Sequence, residues 1–176
     1  HPTFLLDCKS RSLNALWAGI RDKTKNIVRR AQEQLTVREI DDIDSFASFY
    51  QAGLDGAEPY FDLSLLAPAF AAASARKQCK VLAAVDADGL VHAKVFFIWD
   101  DKYVHYFLST RDRSIAHPRA VSLLVWRGIE LAHSLGLWLD FDGGIANNAR
   151  YRFMVAFGGE LANRFDVARS TAHYRV

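Results

Sequence analysis

The stretch from Tyr103 to Gly144, YVHYFLSTRDRSIAHPRAVSLLVWRGIELAHSLGLWLDFDGG, decides the fold. Tyr103 to Thr110 is rich in β-branched and aromatic residues and reads as a strand. Pro118 suits the first turn of a helix that runs to about Leu135. Its stripe is Val121, Leu124, Val125, Gly128, Ile129 and Ala132, and Gly136 ends it. Leu137 to Phe141 is a second strand. Strand, helix and strand in succession are the signature of a parallel crossover.

Upstream lies a meander. Lys80 to Val85 and Leu90 to Trp99 are strands, joined to each other and to the strand at Tyr103 by the turns Asp86-Ala87-Asp88-Gly89 and Asp100-Asp101-Lys102. The acidic pairs in those turns read as turn chemistry rather than metal ligands. Further upstream, Thr3 to Asp7 reads as a strand. Ser12 caps a helix with Leu13, Leu16, Trp17 and Ile20 on one side, and a second helix covers Lys25 to Gln34. A short strand spans Leu35 to Ile40. Asp42 or Asp44 caps the next helix, and another covers Leu63 to Arg76. Downstream, Asn147 or Asn148 starts a short helix to Phe157, Gly158-Gly159 stops it, and Glu160 to Ala168 is a last strand. The expected class is α+β, one mixed sheet flanked by helices.

The chain has 176 residues, 51% hydrophobic and 24% charged, which suits one folded domain and not a disordered segment. At this length about 70% of the unfolded surface is buried on folding, enough for a core without disulfide or metal staples. A net charge of +2 does not by itself imply nucleic-acid binding. Cys8 and Cys79 are far apart and fit a reducing, cytoplasmic setting better than a disulfide framework or a zinc site. No apolar run reaches the length of a membrane span. The first residue is His1, and the chain is expected to be cut from something longer.

Motif searches narrow the chemistry. There is no P-loop, GxGxxG, HExxH or GxSxG, and no His/Cys cluster at metal-ligand spacing. Leu139-Asp140-Phe141-Asp142-Gly143-Gly144 is the sharpest local signal. On a strand, Asp140 and Asp142 share one face and Leu139 and Phe141 the other. The stretch is similar to the DxDG start of haloacid-dehalogenase-type phosphatases. There it opens the domain and needs a lysine and further acids downstream; here only Glu160 and Asp166 follow and no lysine lies after Lys102, so that reading is rejected. One aspartate either organises the glycine turn or contacts substrate, and the residues leave both readings open.

Other segments offer binding groups. Arg111 to Arg119 lies at a strand-to-helix turn, where free backbone N–H groups and the helix dipole seat pyrophosphate; a solvated arginine-rich loop is the competing reading. Arg21 to Arg30 is basic, and Lys25 and Arg29 share a helical face with which they can meet a diphosphate or nucleic-acid backbone. Such charge runs are more often solvated faces. His105, Tyr106 and Tyr151 are candidate acids or bases, against the alternative of core residues with one hydrogen bond each.

The order β-α-α-β-β-β-α-β-α-β resembles that of GNAT N-acyltransferases, and three stretches resemble the Fem-like branch. These are Trp17 to Glu33 (WAGIRDKTKNIVRRAQE), Leu139 to Ile145 (LDFDGGI), and Phe153 to Leu161 (FMVAFGGEL) with Phe165-Asp166-Val167. The resemblance spans about residues 4 to 169. It implies a GNAT-like mixed sheet and transfer of an acyl group, expected to be acetyl, from acyl-CoA to an amine acceptor, with no metal. It places the CoA pyrophosphate between Arg113 and Ser122, with Ser109, Arg113, His117, Arg119 and Ser122 as binding residues. His117 to Ser122 stands where the family's Gln/Arg-x-x-Gly-x-Gly/Ala loop is expected.

Catalytic candidates are Asp140, Asp142 or His105 as proton acceptor and Tyr106 or Tyr151 as donor. Backbone amides near Leu108 to Thr110 would stabilise the oxyanion. The Fem branch lacks the glycine loop and uses aminoacyl-tRNA to extend cell-wall peptides. Aminoacyl transfer from tRNA, with Arg21, Lys25 and Arg29 on the nucleic acid or a nucleotide-linked acceptor, is therefore the second expectation. A non-catalytic GNAT-like docking half is the third. Because Fem members carry two GNAT-like halves, residues 1–176 are expected to be a single domain forming the C-terminal portion of a longer chain, after an N-terminal domain.

Overall fold

The computed structural model describes residues 2–59, 61–115, 119–142 and 148–163. In chain order the elements are β1 (Pro2–Leu6), α1 (Leu13–Gly19), α2 (Asp22–Gln34), β2 (Thr36–Glu39), α3 (Ile43–Gly53), a 3-10 turn (Leu63–Leu65) running into α4 (Leu66–Ala75), β3 (Cys79–Val85), β4 (Val91–Trp99), β5 (Tyr103–Arg111), α5 (Arg119–Leu135), β6 (Trp138–Asp140), α6 (Asn148–Ala156) and β7 (Glu160–Asn163). The family-like order leaves out two helices and one strand: α3 and α4 lie between β2 and β3, and four strands rather than three separate α2 from α5, all of them elements that the local pattern predicts.

Local chemistry sets the boundaries. Ser12 and Asp42 accept hydrogen bonds from the N–H groups of Ala15 and Ser45, capping α1 and α3. Asp86 and Asp100 accept backbone N–H groups across the two hairpin turns, as their turn role requires. Gly136 ends α5 at φ 67°, with Gly136 N–H donating to His133 and Leu137 N–H to Ala132. This is a left-handed helix stop that favours glycine.

The sheet has seven strands in the order β2-β3-β4-β5-β6-β1-β7. β5 and β6 are parallel, joined by the crossover through α5; every other neighbouring pair is antiparallel. The expected meander and crossover are therefore both present. β1 enters between β6 and β7, pairing Leu5 with Asp140 and Thr3 with Ala162.

The two faces of the sheet are covered unequally. On one face the larger core gathers Phe4, Leu6, Val95, Phe97, Val104, Leu139 and Phe141 with residues of α1, α2, α5 and α6. α5 lies close to the sheet at Gly128, where an added Cβ would stand 2.5 Å from the Phe97 ring. On the other face Val81, Phe96 and Leu108 pack under α3 and α4. Buried Lys94 pins α3 there, its Nζ donating to the Ser45 carbonyl and hydroxyl at 2.7 Å each, and burial pushes its pKa down.

Candidate active site

β5 and β6 pair over a short distance only: Tyr103 with Trp138, Val104 with Leu139, and His105 with Asp140. β6 then ends while β5 continues to Arg111. From Tyr106 onward β5 therefore has no ladder partner on its β6 side among the described residues. A bulge adds to this departure: Phe97 pairs with Tyr106 and Phe96 with Leu108, so Phe107 is an extra residue. The gap leaves a cavity on each face of the sheet.

On the α3/α4 face, a cavity of about 540 Å³ is lined by residues of β1, β5 and β6 and by Asp142 and Asn163. Asp140, 3% exposed, is its most enclosed acid. Its Oδ1 accepts the Thr3 hydroxyl at 2.5 Å and the Asp142 backbone N–H at 2.8 Å, and its Oδ2 stands 3.6 Å from His105 Nδ1. His105 Nε2 stands 3.6 Å from Asp100 Oδ2, on a carboxylate that is half exposed. The Asp140 contact, joined by Asp100 and opposed by burial, raises the His105 pKa above its ordinary 6.5. Asp140 thus both holds the turn and faces a cavity. Asp142 follows the strand with φ 45°, a conformation aspartate tolerates, and it still lines the same cavity as Asp140, while Phe141 lines the other.

The second cavity, about 490 Å³, lies on the α2/α5/α6 face. Tyr106, Ser109, Thr110 and Arg111 of β5 form one wall, and Val121 and Ser122 in the first turn of α5 another. Arg150 and Arg152 of α6 close it. Ile27, Phe141, Phe153 and Met154 give it an apolar floor. Burial pushes the Tyr106 hydroxyl up to about 12, with a hydrogen bond to Ser109 and the charge of Arg150 acting the other way. Ser109, Thr110 and Arg111 also border an adjoining recess of about 300 Å³ that contains Tyr50 and Arg113.

The expected residues divide between these places. His105, Asp140 and Asp142 come together in the first cavity, and Tyr106, Ser109 and Ser122 in the second. Arg113 lies in the recess, 3.7 Å from Asp55, and Arg119 bonds Gln34 at 3.2 Å in a separate pocket of about 300 Å³. His117 lies outside the described residues. Tyr151 joins neither lining; it sets its ring against Phe4, with centroids 5.4 Å apart.

The basic face of α2 is not brought to either cavity. Lys25 pairs with Asp22 at 2.9 Å, and Arg29 bonds Asn26 and lies over the Trp17 ring. Arg21 joins neither lining, its backbone N–H donating to the Ala156 carbonyl. α2 turns Thr24 and Ile27 to the cavity instead. Residues not anticipated are Thr3, Tyr103 and Phe107 in the first cavity and Arg150 and Arg152 in the second, where Arg111 of the expected anion-binding stretch joins them. A strand alternation carried from Asp140 across β5 and β1 points to the first group; the second needs the rotation of α6.

Burial raises the pKa of both cysteines, that of Cys8 to about 12, so neither is an activated nucleophile. Among the described residues no group of three His, Cys, Asp or Glu side chains could hold a metal ion, and no helix is long and apolar enough to cross a membrane.

The sheet is mixed, and its parallel pair separates beside the first turn of the long helix α5. The model of the acetyltransferase (GNAT) domain matches residues 18–152, and the chain belongs to that family, one of acyltransferases. The fold is similar to that of FemX, with a TM-score of 0.78 at 10% identity over 92% of this chain and 59% of that one. It is also similar to a predicted acetyltransferase with acetyl-CoA from Clostridium acetobutylicum (TM-score 0.59, 14% identity, 80% of this chain and 99% of that one). A tandem GNAT protein from the clavulanic acid biosynthesis pathway gives 0.57 at 13% identity over 94% and 54%. The chain thus spans 59% of the length of FemX. Comparison with curated protein sequences gives no match.

Proposed function

We propose that this domain transfers an acetyl group from acetyl-CoA to an amine by direct attack, with the donor on the α2/α5/α6 face and the amine on the other. One observation carries the reading: the two cavities lie on opposite faces of a single gap, which opens beyond His105 and Asp140, the last paired residues of β5 and β6. The second cavity suits a CoA thioester. Arg111, Arg150 and Arg152 stand at a polar rim with the first turn of α5, no carboxylate lines it among the described residues, and its apolar floor suits a pantetheine arm.

In the reaction the amine nitrogen bonds to the thioester carbon, the carbon–sulfur bond breaks, and the sulfur leaves as a thiolate. The amine's proton passes to the His105–Asp140 pair, whose 3.6 Å separation is of the loose kind that tightens when substrate is bound. Asp100, half exposed beyond His105, offers the route from that pair to solvent. Tyr106 keeps its proton at neutral pH and can donate a hydrogen bond to the departing sulfur. The raised thiol pKa values favour direct attack over a cysteine acyl-enzyme.

The test is thermal stabilisation and turnover. Acetyl-CoA at 100 times its dissociation constant adds about 2.7 kcal/mol to stability, and free CoA is released when an amine is supplied. Absence of both overturns the reading. The fold shared with FemX motivates a comparison with aminoacyl-tRNA as donor. Stabilisation by aminoacyl-tRNA alone, weakening steeply with salt, would assign the arginine rim to that donor.

A further inference from the structure

We propose that the recess between α3 and the end of β5 is an anion subsite for a terminal phosphate group, with the Tyr50 hydroxyl and Arg113 as its donors. The site stands apart from the His105 cavity and does not rest on the acyl-transfer reading.

Tyr50 is 4% exposed, and its ring stacks on Phe46 with centroids 6.1 Å apart. Its hydroxyl makes no hydrogen bond among the described residues, where no fully enclosed side-chain polar atom lacks a partner. The hydroxyl is therefore the part of the residue that meets the recess. A nearly buried hydroxyl left without a partner is costly, and a ligand that accepts from it recovers that cost. Burial raises its pKa against the charge of Arg150, so at neutral pH it is a donor. α3 is held at both ends. Lys94 donates to Ser45 in its first turn, and at Gly53 an added Cβ would collide with the Thr110 hydroxyl. The Tyr50 hydroxyl is thus fixed over the recess.

The rest of the lining selects sign. Ser109, Thr110, Arg111 and Arg113 complete the polar wall, and no carboxylate lines the recess among the described residues. Arg111 donates to the Ile115 carbonyl, which uses one of its five N–H groups. Arg113 meets Asp55 at 3.7 Å, but both side chains are more than half exposed and the pair is screened. The C-terminal dipole of α3, about half a charge, also opposes an anion. Two guanidinium groups exceed that dipole and the screened carboxylate together. A phosphate offers three acceptor oxygens, and guanidinium groups bind it through charge-assisted, bidentate contacts. The recess, about 300 Å³, has room for the phosphate and the start of its ester stem.

Inorganic phosphate is the probe, titrated calorimetrically at constant ionic strength into the protein without acetyl-CoA. Binding is expected, weakened about tenfold in Tyr50→Phe and in Arg113→Gln, as loss of a charge-assisted hydrogen bond implies. Tyr50→Phe keeps the ring stack and should unfold at the same denaturant concentration as the parent or higher, since the hydroxyl holds no other group. Repeating the titration with acetyl-CoA present identifies the source of the phosphate. Competition assigns the recess to a phosphate of the donor, whose cavity shares Ser109, Thr110 and Arg111 with it. Independent binding assigns it to a second phosphorylated molecule, and either result supports the subsite. No phosphate binding, binding unchanged in either variant, or a stability loss in Tyr50→Phe overturns it. Because the titration needs no turnover, a protein that binds phosphate here without transferring acetyl keeps this site and loses the acyl-transfer reading.

Discussion

The two cavities beside β5 are built from alternate residues of the same strands, yet they are chemical opposites. His105 and Phe107 face one, Tyr106 and Ser109 the other; Asp140 and Asp142 face one, Phe141 the other. The acidic side has no lining lysine or arginine and the arginine side no lining carboxylate, among the described residues. Period-two alternation thus lets one short gap present two linings of different composition back to back.

The largest expected break in this division comes from the acidic side. His105→Gln removes the group expected to take the amine's proton. Turnover at pH 7.5 should fall by about 100- to 10,000-fold, while stabilisation by acetyl-CoA stays within error. A matching loss of donor binding would show that the two sides are not independent. On the arginine side, Arg111→Gln combined with Arg150→Gln should weaken acetyl-CoA binding by about 10- to 100-fold, as expected for loss of charge-assisted contacts at a half-open rim. Titration of acetyl-CoA measures this, and turnover at saturating acetyl-CoA should fall by less than in His105→Gln.

The alternation was legible in LDFDGG because strand periodicity needs no tertiary information, and the crossover was legible from strand, helix and glycine stop. Thr3 was not. Its contact with Asp140 spans 137 positions, and no local pattern announces that β1 inserts between β6 and β7. Around α6 the difficulty was rotation. Arg150, Tyr151 and Arg152 are consecutive, and at about 100° per residue the two arginines leave the helix about 200° apart, yet both line the cavity while Tyr151 meets Phe4, a combination that helical spacing alone does not announce. The same geometry withdrew Lys25 and Arg29 on α2 and brought forward Thr24 and Ile27. Charge density along a helix names the face only once its packing partner is known.

A change to the shared frame should affect both sides alike. Gly128→Ala would press a methyl group into the Phe97 ring beneath the strands that carry both cavities. The expected cost is about 1–3 kcal/mol of stability, read by denaturant unfolding, with acetyl-CoA still bound by the folded protein. Loss of acetyl-CoA binding without loss of stability would mean that the spacing of α5 from the sheet sets the donor cavity.

The finest prediction separates the two carboxylates around His105. Neutral His105 is the form that accepts a proton, so kcat/KM should rise with pH through a midpoint above 6.5, the ordinary histidine value. Because the folded pKa is raised, protonated His105 contributes stability that is fully present below about 6.5 and lost as pH rises through the folded pKa. Asp140 is the foremost cause of the shift, so Asp140→Asn should bring the activity midpoint back furthest and flatten that stability loss. Asp100 acts from the half-exposed side, where solvent screens it. Asp100→Asn should therefore lower the midpoint by less and slow turnover by no more than about tenfold, consistent with a screened contact. If Asp100→Asn moves the midpoint as far as Asp140→Asn, the hairpin carboxylate rather than the buried one sets the histidine's charge, and the proton's path begins at the surface.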